Sequence, residues 1–246
     1  MPEGCQRADA DPEAVIDVVS RLPAGTDALL VTNDPQARKV AQSVRLALGG
    51  ERVGLVHHEA PPTAFYLALS AAQLLPEQSL GLAGELLTAV SAATSTSAVL
   101  SSVASLQKPS PSLLHHVASL WPPSRFAVDW QNQTVRLGDE AQAPEGVAVV
   151  VCASAKPVGP SQTRPGPATE LEPEAGAAFW GAARWFEASV LLTGLDTLVA
   201  RTVMATSAPG ARTCPSCDRP GGADLCAFCQ LPVVEPTGDT TYGGPA

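Results

Sequence analysis

Two Cys-x-x-Cys pairs stand near the C-terminus: Cys214 and Cys217 in C-P-S-C, then Cys226 and Cys229 in C-A-F-C, with eight residues between them. Each pair lets two thiolates grip one tetrahedral ion. The loop between the pairs carries Pro220, Gly221 and Gly222 in its middle, turn residues that can fold the second pair onto the first. Four protein ligands leave no open coordination position. The expected ion is therefore a structural Zn2+, holding a small zinc-ribbon module over residues 206–234 that has little core of its own. Two disulfides or four free thiols are the alternatives. Disulfides need an oxidising compartment, and Met1-Pro2-Glu3-Gly4-Cys5 has no signal-peptide pattern. A redox Cys-x-x-Cys opens a helix after a strand, and two of them eight residues apart do not fit that role. By themselves the cysteines predict a bound metal and say nothing of activity.

The remaining chain is long enough for one large domain. It has 246 residues, of which 45% are hydrophobic, and 23 prolines and 20 glycines break it often. A net charge of −9 argues against direct gripping of a phosphate backbone, which needs clustered Lys and Arg. Leu86 to Gln107 contains no charged residue, but ten of its 22 positions are Ser, Thr or Gln. That is too polar for a lone bilayer span, so a buried helix and no membrane partner are expected, and the lack of a signal-peptide pattern makes a cytoplasmic location the expectation.

Apolar spacing sets out the elements. Val15, Val18, Val19 and Leu22 predict a first helix. Ala28 to Thr32 is a continuous apolar run, expected as a strand buried on both faces. Asn33-Asp34-Pro35 opens a helix that Gly49-Gly50 closes, and Arg52 to Val56 is a second strand. This β-α-β order predicts an α/β fold with a parallel-sheet core, covering helices and the C-terminal zinc module. Helices are expected at 63–75, 79–106 and 112–120. A hairpin is expected from Phe126 to Leu137 around Gln131-Asn132-Gln133, and a buried strand at Val147 to Cys152. The expected organisation is an α/β domain at 1–155, a Pro-rich linker at 156–176 and one long helix at 177–205 packed on that domain. The metal module and a disordered tail at 235–246 complete it.

Candidate chemistry is sparse. Neither a phosphate-cradling Gly-rich loop nor a G-x-S-x-G elbow occurs. Thr32, Asn33 and Asp34 end the first strand and open a helix, a position that suits an anion or nucleotide, or an ordinary N-cap. His57-His58 lie at the end of the second strand, where α/β proteins place ligands. Adjacent strand residues point to opposite faces, so the pair is not expected to share a metal. His115-His116 read as the polar end of an element, and Cys152 as an inert buried thiol.

Leu30-Val31-Thr32-Asn33-Asp34, with Arg38, Ala41 and Leu46-Ala47-Leu48-Gly49, resembles the second half of the PP-loop fold in tRNA thiolation proteins. The tail Cys214-x-x-Cys217 to Leu225-Cys226-x-x-Cys229 is similar to the paired cysteines that close the cytoplasmic tRNA 2-thiolation protein 2 family. Catalytic members carry a Ser-Gly-Gly-x-Asp-Ser loop that is missing here. The resemblance therefore implies a non-catalytic, zinc-binding accessory subunit for 2-thiolation of wobble uridine, working with a catalytic partner and meeting tRNA only through that complex. Two alternatives come from the residues alone. One is a protein-interaction scaffold with a structural zinc ribbon. The other is a small-molecule enzyme using the C-terminal ends of the parallel strands, beside Thr32, Asn33, Asp34 and His57. Catalysis by the chain on its own is not favoured.

Overall fold

The computed structural model of the protein describes residues 1–2, 5–121, 124–139, 144–158, 168–205, 212–222 and 225–233. The chain opens with α1 (Pro12–Ser20), where Asp11 caps the first turn by accepting from the amide of Ala14 at 3.0 Å. Next come β1 (Ala28–Thr32), α2 (Pro35–Leu48) and β2 (Val53–His57), the predicted β-α-β unit. Its strands are parallel, with Ala28 opposite Val53 and Thr32 opposite His57. Alternation along β1 serves two cores. Leu30 faces Val15, Val40 and Val44 of the first two helices, while Leu29 and Val31 face a larger apolar cluster.

That larger cluster is built by α3 (Pro62–Ala72) and α4 (Ala83–Ala92), which a 3-10 turn (Glu77–Leu82) joins. The rest of the chain runs β3 (Thr94–Leu100), α5 (Leu113–Ser119), β4 (Phe126–Asp129), β5 (Thr134–Leu137), β6 (Ala148–Ala153), β7 (Thr169–Leu171), α6 (Glu174–Trp180), β8 (Trp185–Leu191) and α7 (Leu195–Ala205). Six of these strands form one sheet in the order β5-β4-β3-β8-β6-β7. All of its pairings are antiparallel except β6 with β7. The described residues thus form a mixed α/β fold with two sheets. The expected parallel-sheet core is corrected: β1 and β2 make a two-stranded sheet of their own, and the large sheet is mostly antiparallel.

Two helices expected from sequence are strands in part. The uncharged stretch at 79–106 holds the 3-10 turn, α4 and then β3, a central strand. Thr94 and Thr96 are buried on it. The Thr-Ser alternation there is a period-2 signal, and Thr favours strand geometry because it is branched at Cβ. The long helix expected at 177–205 is α6, β8 and α7. Gly181 ends α6 in the left-handed region, at φ 59°, and Trp185 to Leu191 is then buried almost throughout between β3 and β6. A strand flanked on both edges and covered on both faces has no alternation to betray it. The Pro-rich stretch at 156–176 contains β7 and the start of α6, while its residues 159–167 lie outside the described residues. So does the tail at 235–246. Among the described residues, no helix is long and apolar enough to cross a membrane.

A polar chain crosses the buried centre. The hydroxyls of Thr96 on β3 and Ser189 on β8 meet at 2.7 Å, and Ser189 meets the Thr63 hydroxyl at 2.6 Å. Thr63, in the first turn of α3, donates its amide at 2.7 Å and its hydroxyl to the Glu187 carboxylate. The other Glu187 oxygen accepts the Trp180 indole N–H at 2.6 Å. Glu187 is 0% exposed. Its burial raises the carboxyl above its ordinary value, although the hydroxyl and amide of Thr63 and the Trp180 indole all favour the charged form.

A group whose folded-state pKa is raised adds stability below its unfolded pKa and loses it as pH rises through the folded one. Glu187→Gln should therefore flatten the loss of stability above pH ~4.5 relative to the native chain. If the new amide turns its NH2 toward Trp180, the unsatisfied indole should cost about 1–3 kcal/mol. Urea unfolding midpoints at several pH values check both. Parallel pH profiles for the two chains would remove Glu187 as the titrating group.

Candidate metal centre

The two cysteine pairs fold into matching knuckles. In the first, the amide of Asp218 donates to Cys214 O at 3.0 Å, and the amide of Cys214 donates to Arg219 O at 3.0 Å. In the second, Gln230 donates to Cys226 O and Cys226 donates to Leu231 O, each at 2.9 Å. Asp218 and Gln230 take the same role, with φ of 55° and 56°, a conformation uncommon for residues with a Cβ. Bridges from Thr213 to Pro220 and from Leu225 to Pro232 close the two loops.

This repeat brings Cys214, Cys217, Cys226 and Cys229 together, with all four sulfurs within 4.8 Å of one another. Cys217 Sγ and Cys226 Sγ are 3.7 Å apart. A tetrahedron with metal–sulfur bonds of about 2.3 Å has edges of about 3.8 Å. None of the four is in a disulfide. The cluster can therefore hold a metal ion, and among the described residues it is the only group of three or more potential ligands that can.

Its electrostatics ask for a cation. Burial opposes ionisation of Cys214, but the amides of Ser216 and Cys217 and the neighbouring thiols outweigh it and bring that thiol down to about 7. Burial and the adjacent thiols push Cys226 up, and they push Cys229 up to about 12. One thiolate forms easily, while Cys226 and Cys229 are held protonated. A divalent ion at the centre lets all four ionise.

The knuckles dock on the outer edge of β2. Leu55 donates its amide to Ala227 O at 2.8 Å, and its carbonyl accepts from Gln230 Nε2 at 3.2 Å. Phe228, fully buried, packs with Leu29, Val56 and Leu80, and it sits close to Gly54, where a Cβ would meet its ring at 3.1 Å. Burying such a ring contributes about 1.5–3 kcal/mol. The Arg219 guanidinium lies over the ring at 3.8 Å, pairs with Asp27 at 2.6 Å and donates to Glu51 O at 2.8 Å. Arg45 of α2 donates to Phe228 O. A Cβ on Gly81 would come within 2.2 Å of Pro220 O, so the 3-10 turn also touches the first knuckle by backbone.

The other sequence candidates lie apart from the sulfurs. Asp34 caps α2, accepting from Gln36 N and Ala37 N at 2.9 Å, which occupies two of the amides an anion would use. Thr32 meets His57 Nδ1 at 3.0 Å, and Asn33 stands between Thr32 and Asp34. His58 Nε2 meets Ser91 Oγ at 2.8 Å, so the adjacent histidines do part company. His115 completes a capping box with Ser112 on α5. Cys152 is buried, its thiol pushed up to about 12 by burial and by the nearby Glu187. Sequence reasoning passed over Arg219, Phe228 and Glu187. A lone acid inside the apolar run Trp185–Leu191 and an aromatic between Cys226 and Cys229 were the available signals. Two open clefts accompany these sites. One of 430 Å³ is lined by Asp27, Glu77, Gln78, Asp218, Arg219 and Pro220, and the other, of 220 Å³, lies between α1 and β2.

No family model and no curated protein matches the chain. Among solved structures it is similar to a DegV family protein from Eubacterium eligens loaded with heptadecanoic acid. The identity is 11% and the TM-score 0.50, over 74% of this chain and 78% of that one. It is also similar to the fatty acid kinase B3 protein of Streptococcus pneumoniae loaded with linoleic acid, at 15% identity and TM-score 0.48, over 74% and 76% of the two chains. A DegV family protein from Corynebacterium glutamicum gives 10% identity and TM-score 0.44, over 79% and 88%. The first of these shows a shared fold. The expected membership of the tRNA 2-thiolation family, and the role in tRNA thiolation that it implied, are thereby corrected. The residues behind them are a capped strand-to-helix turn and a pair of cysteine knuckles, two local solutions open to many folds.

Metal removal and Gly81→Ala test the docking separately. Chelation, or Cys226→Ser, should free the knuckles from β2, seen as new protease cleavage after residue 205 and a lower melting temperature. Gly81→Ala should loosen the same contact with the metal retained, because the added Cβ pushes on the Pro220 backbone. Unchanged proteolysis after complete metal loss would show that the ion does not hold the module.

Proposed function

We propose that this chain is a binding protein for a long acyl ligand, with a structural Zn2+ closing its C-terminal module. The fold it shares with the heptadecanoic-acid-loaded DegV family protein carries the choice of ligand class. Its own interior is compatible with that class. Leu67, Ala68 and Ala71 of α3 face Leu86 and Val90 of α4 and Leu191 of β8 in an apolar cluster that spans both sheets. The described side chains are packed together there, so a ligand enters only as they move apart. Neither open cleft suits an acyl chain: the larger is lined by charges, and the smaller is below the ~300–1,000 Å³ usual for ligand sites.

The metal's identity follows from donor chemistry. Four thiolates in a closed tetrahedral set select Zn2+ or iron, and with no open position the ion stabilises the fold without taking part in a reaction. In this role it holds the knuckles that cover β2, and through them the wall of the apolar interior formed by Leu29 and Val56.

Mass spectrometry of an organic extract of the purified chain should find fatty acid near one equivalent. Added heptadecanoic acid should stabilise the delipidated chain by about 2.7 kcal/mol at a hundredfold excess over Kd. An extract free of acyl species, with no shift on addition, would remove the ligand. Elemental analysis of the colourless protein should give one zinc per chain, and iron with its visible absorbance would reassign the ion.

A further inference from the structure

Helix α5 has no buried residue, and its amphipathicity is inverted. Leu113, Leu114, Val117, Leu120 and Trp121 fall on one stripe at helical spacing, and they are 84%, 79%, 49%, 76% and 72% exposed. The inward side is the polar one. His115 meets the Phe126 ring edge-on at 6.0 Å, the Ser119 hydroxyl accepts the Val103 amide at 3.0 Å, and Ala118 packs against the core of the large sheet. Packing of the monomer explains the inward residues and leaves the outward stripe without a partner among the described residues.

Charge narrows what can cover it. The chain has a net charge of −9, yet no Asp or Glu occurs between Leu86 and Val128. Lys108 and Arg125 flank α5, each in an exposed pair with an acid from elsewhere, Glu59 and Asp139. Such pairs are worth little and exchange readily for other anions. The area argues against a second copy of the chain. A helix of seven residues is about 10 Å long and offers a patch of a few hundred Å², against the ~800 Å² per partner of a standard interface. A bilayer needs no matching surface. Leucines reach the acyl boundary, and a Trp settles at the headgroups.

We propose that the outward face of α5 is a peripheral docking surface for an anionic lipid bilayer. The choice of partner rests on the acyl-ligand reading, since a bilayer is where such ligands reside. Contact is by surface insertion of Leu113, Leu114, Leu120 and Trp121.

Flotation of the full chain with phosphatidylcholine vesicles containing phosphatidylglycerol tests this. The protein should float with the vesicles, and its emission should shift to the blue. Trp121→Phe should lose that shift, because Trp180 and Trp185 are already buried and Trp130 is half-buried against Phe179 in the core of the large sheet. Leu114→Ser with Leu120→Ser should weaken vesicle binding at least tenfold while zinc content and circular dichroism stay as in the native chain. Absence of flotation, or flotation unchanged in the double variant, overturns the docking surface. So does a concentration-dependent dimer that the double variant abolishes. Heptadecanoic acid binding, measured without vesicles, separates the two ideas. Acid binding without flotation removes the surface and leaves the ligand, and flotation dependent on α5 without acid binding supports the surface and removes the ligand.

Discussion

The outer edge of β2 is the constraint on which the N-terminal half depends. A parallel pair of strands carries unpaired amides and carbonyls along both sides, and alone it has too little ladder to persist. At Leu55 both groups are taken by the second cysteine knuckle, through Ala227 O and Gln230 Nε2. The dependence runs in both directions. The knuckles have no core beyond their sulfurs, Phe228 and a few neighbours, and they bury that ring only against Leu29, Val56 and Leu80. A metal ion held by the four cysteines would thus also close a sheet edge and complete a core.

A second joint ties the α3 end of this unit to the large sheet. Glu187 lies on a central strand, yet it holds the first turn of α3 through Thr63 and the end of α6 through Trp180. Hydroxyls from Ser189 and Thr96 extend the chain to β3. A buried acid is tolerated because every contact around it is a donor or a shared hydroxyl. The first joint is built around four cysteines that can hold a metal ion, and the second around a carboxyl that burial raises above its ordinary value.

What was readable in the chain and what was not divide along local and non-local lines. The β-α-β unit, the hairpin around Gln131-Asn132-Gln133, the Asp34 cap and the clustering of Cys214, Cys217, Cys226 and Cys229 all arise within short spans. Spacing, capping chemistry and turn residues act there over a few bonds. Strand β8 was hidden because a strand buried on both faces looks like a helix interior, and β3 because its uncharged Thr-Ser run continues the apolar helix before it and reads as the same buried helix.

The sequence by itself determined that four thiolates would converge and that two parallel strands would flank a helix. In both cases the ligands or elements are neighbours along the chain, and their geometry follows from local dihedral and hydrogen-bond preferences. Only the tertiary structure decided that this unit would stand apart from a mostly antiparallel sheet, that the knuckles would cover β2, and that α5 would turn its leucines outward. Those outcomes depend on contacts such as Leu55 with Ala227 and Thr63 with Glu187, whose partners are far apart in the chain. Their energies arise from burial and pairing that exist only after the chain has closed on itself.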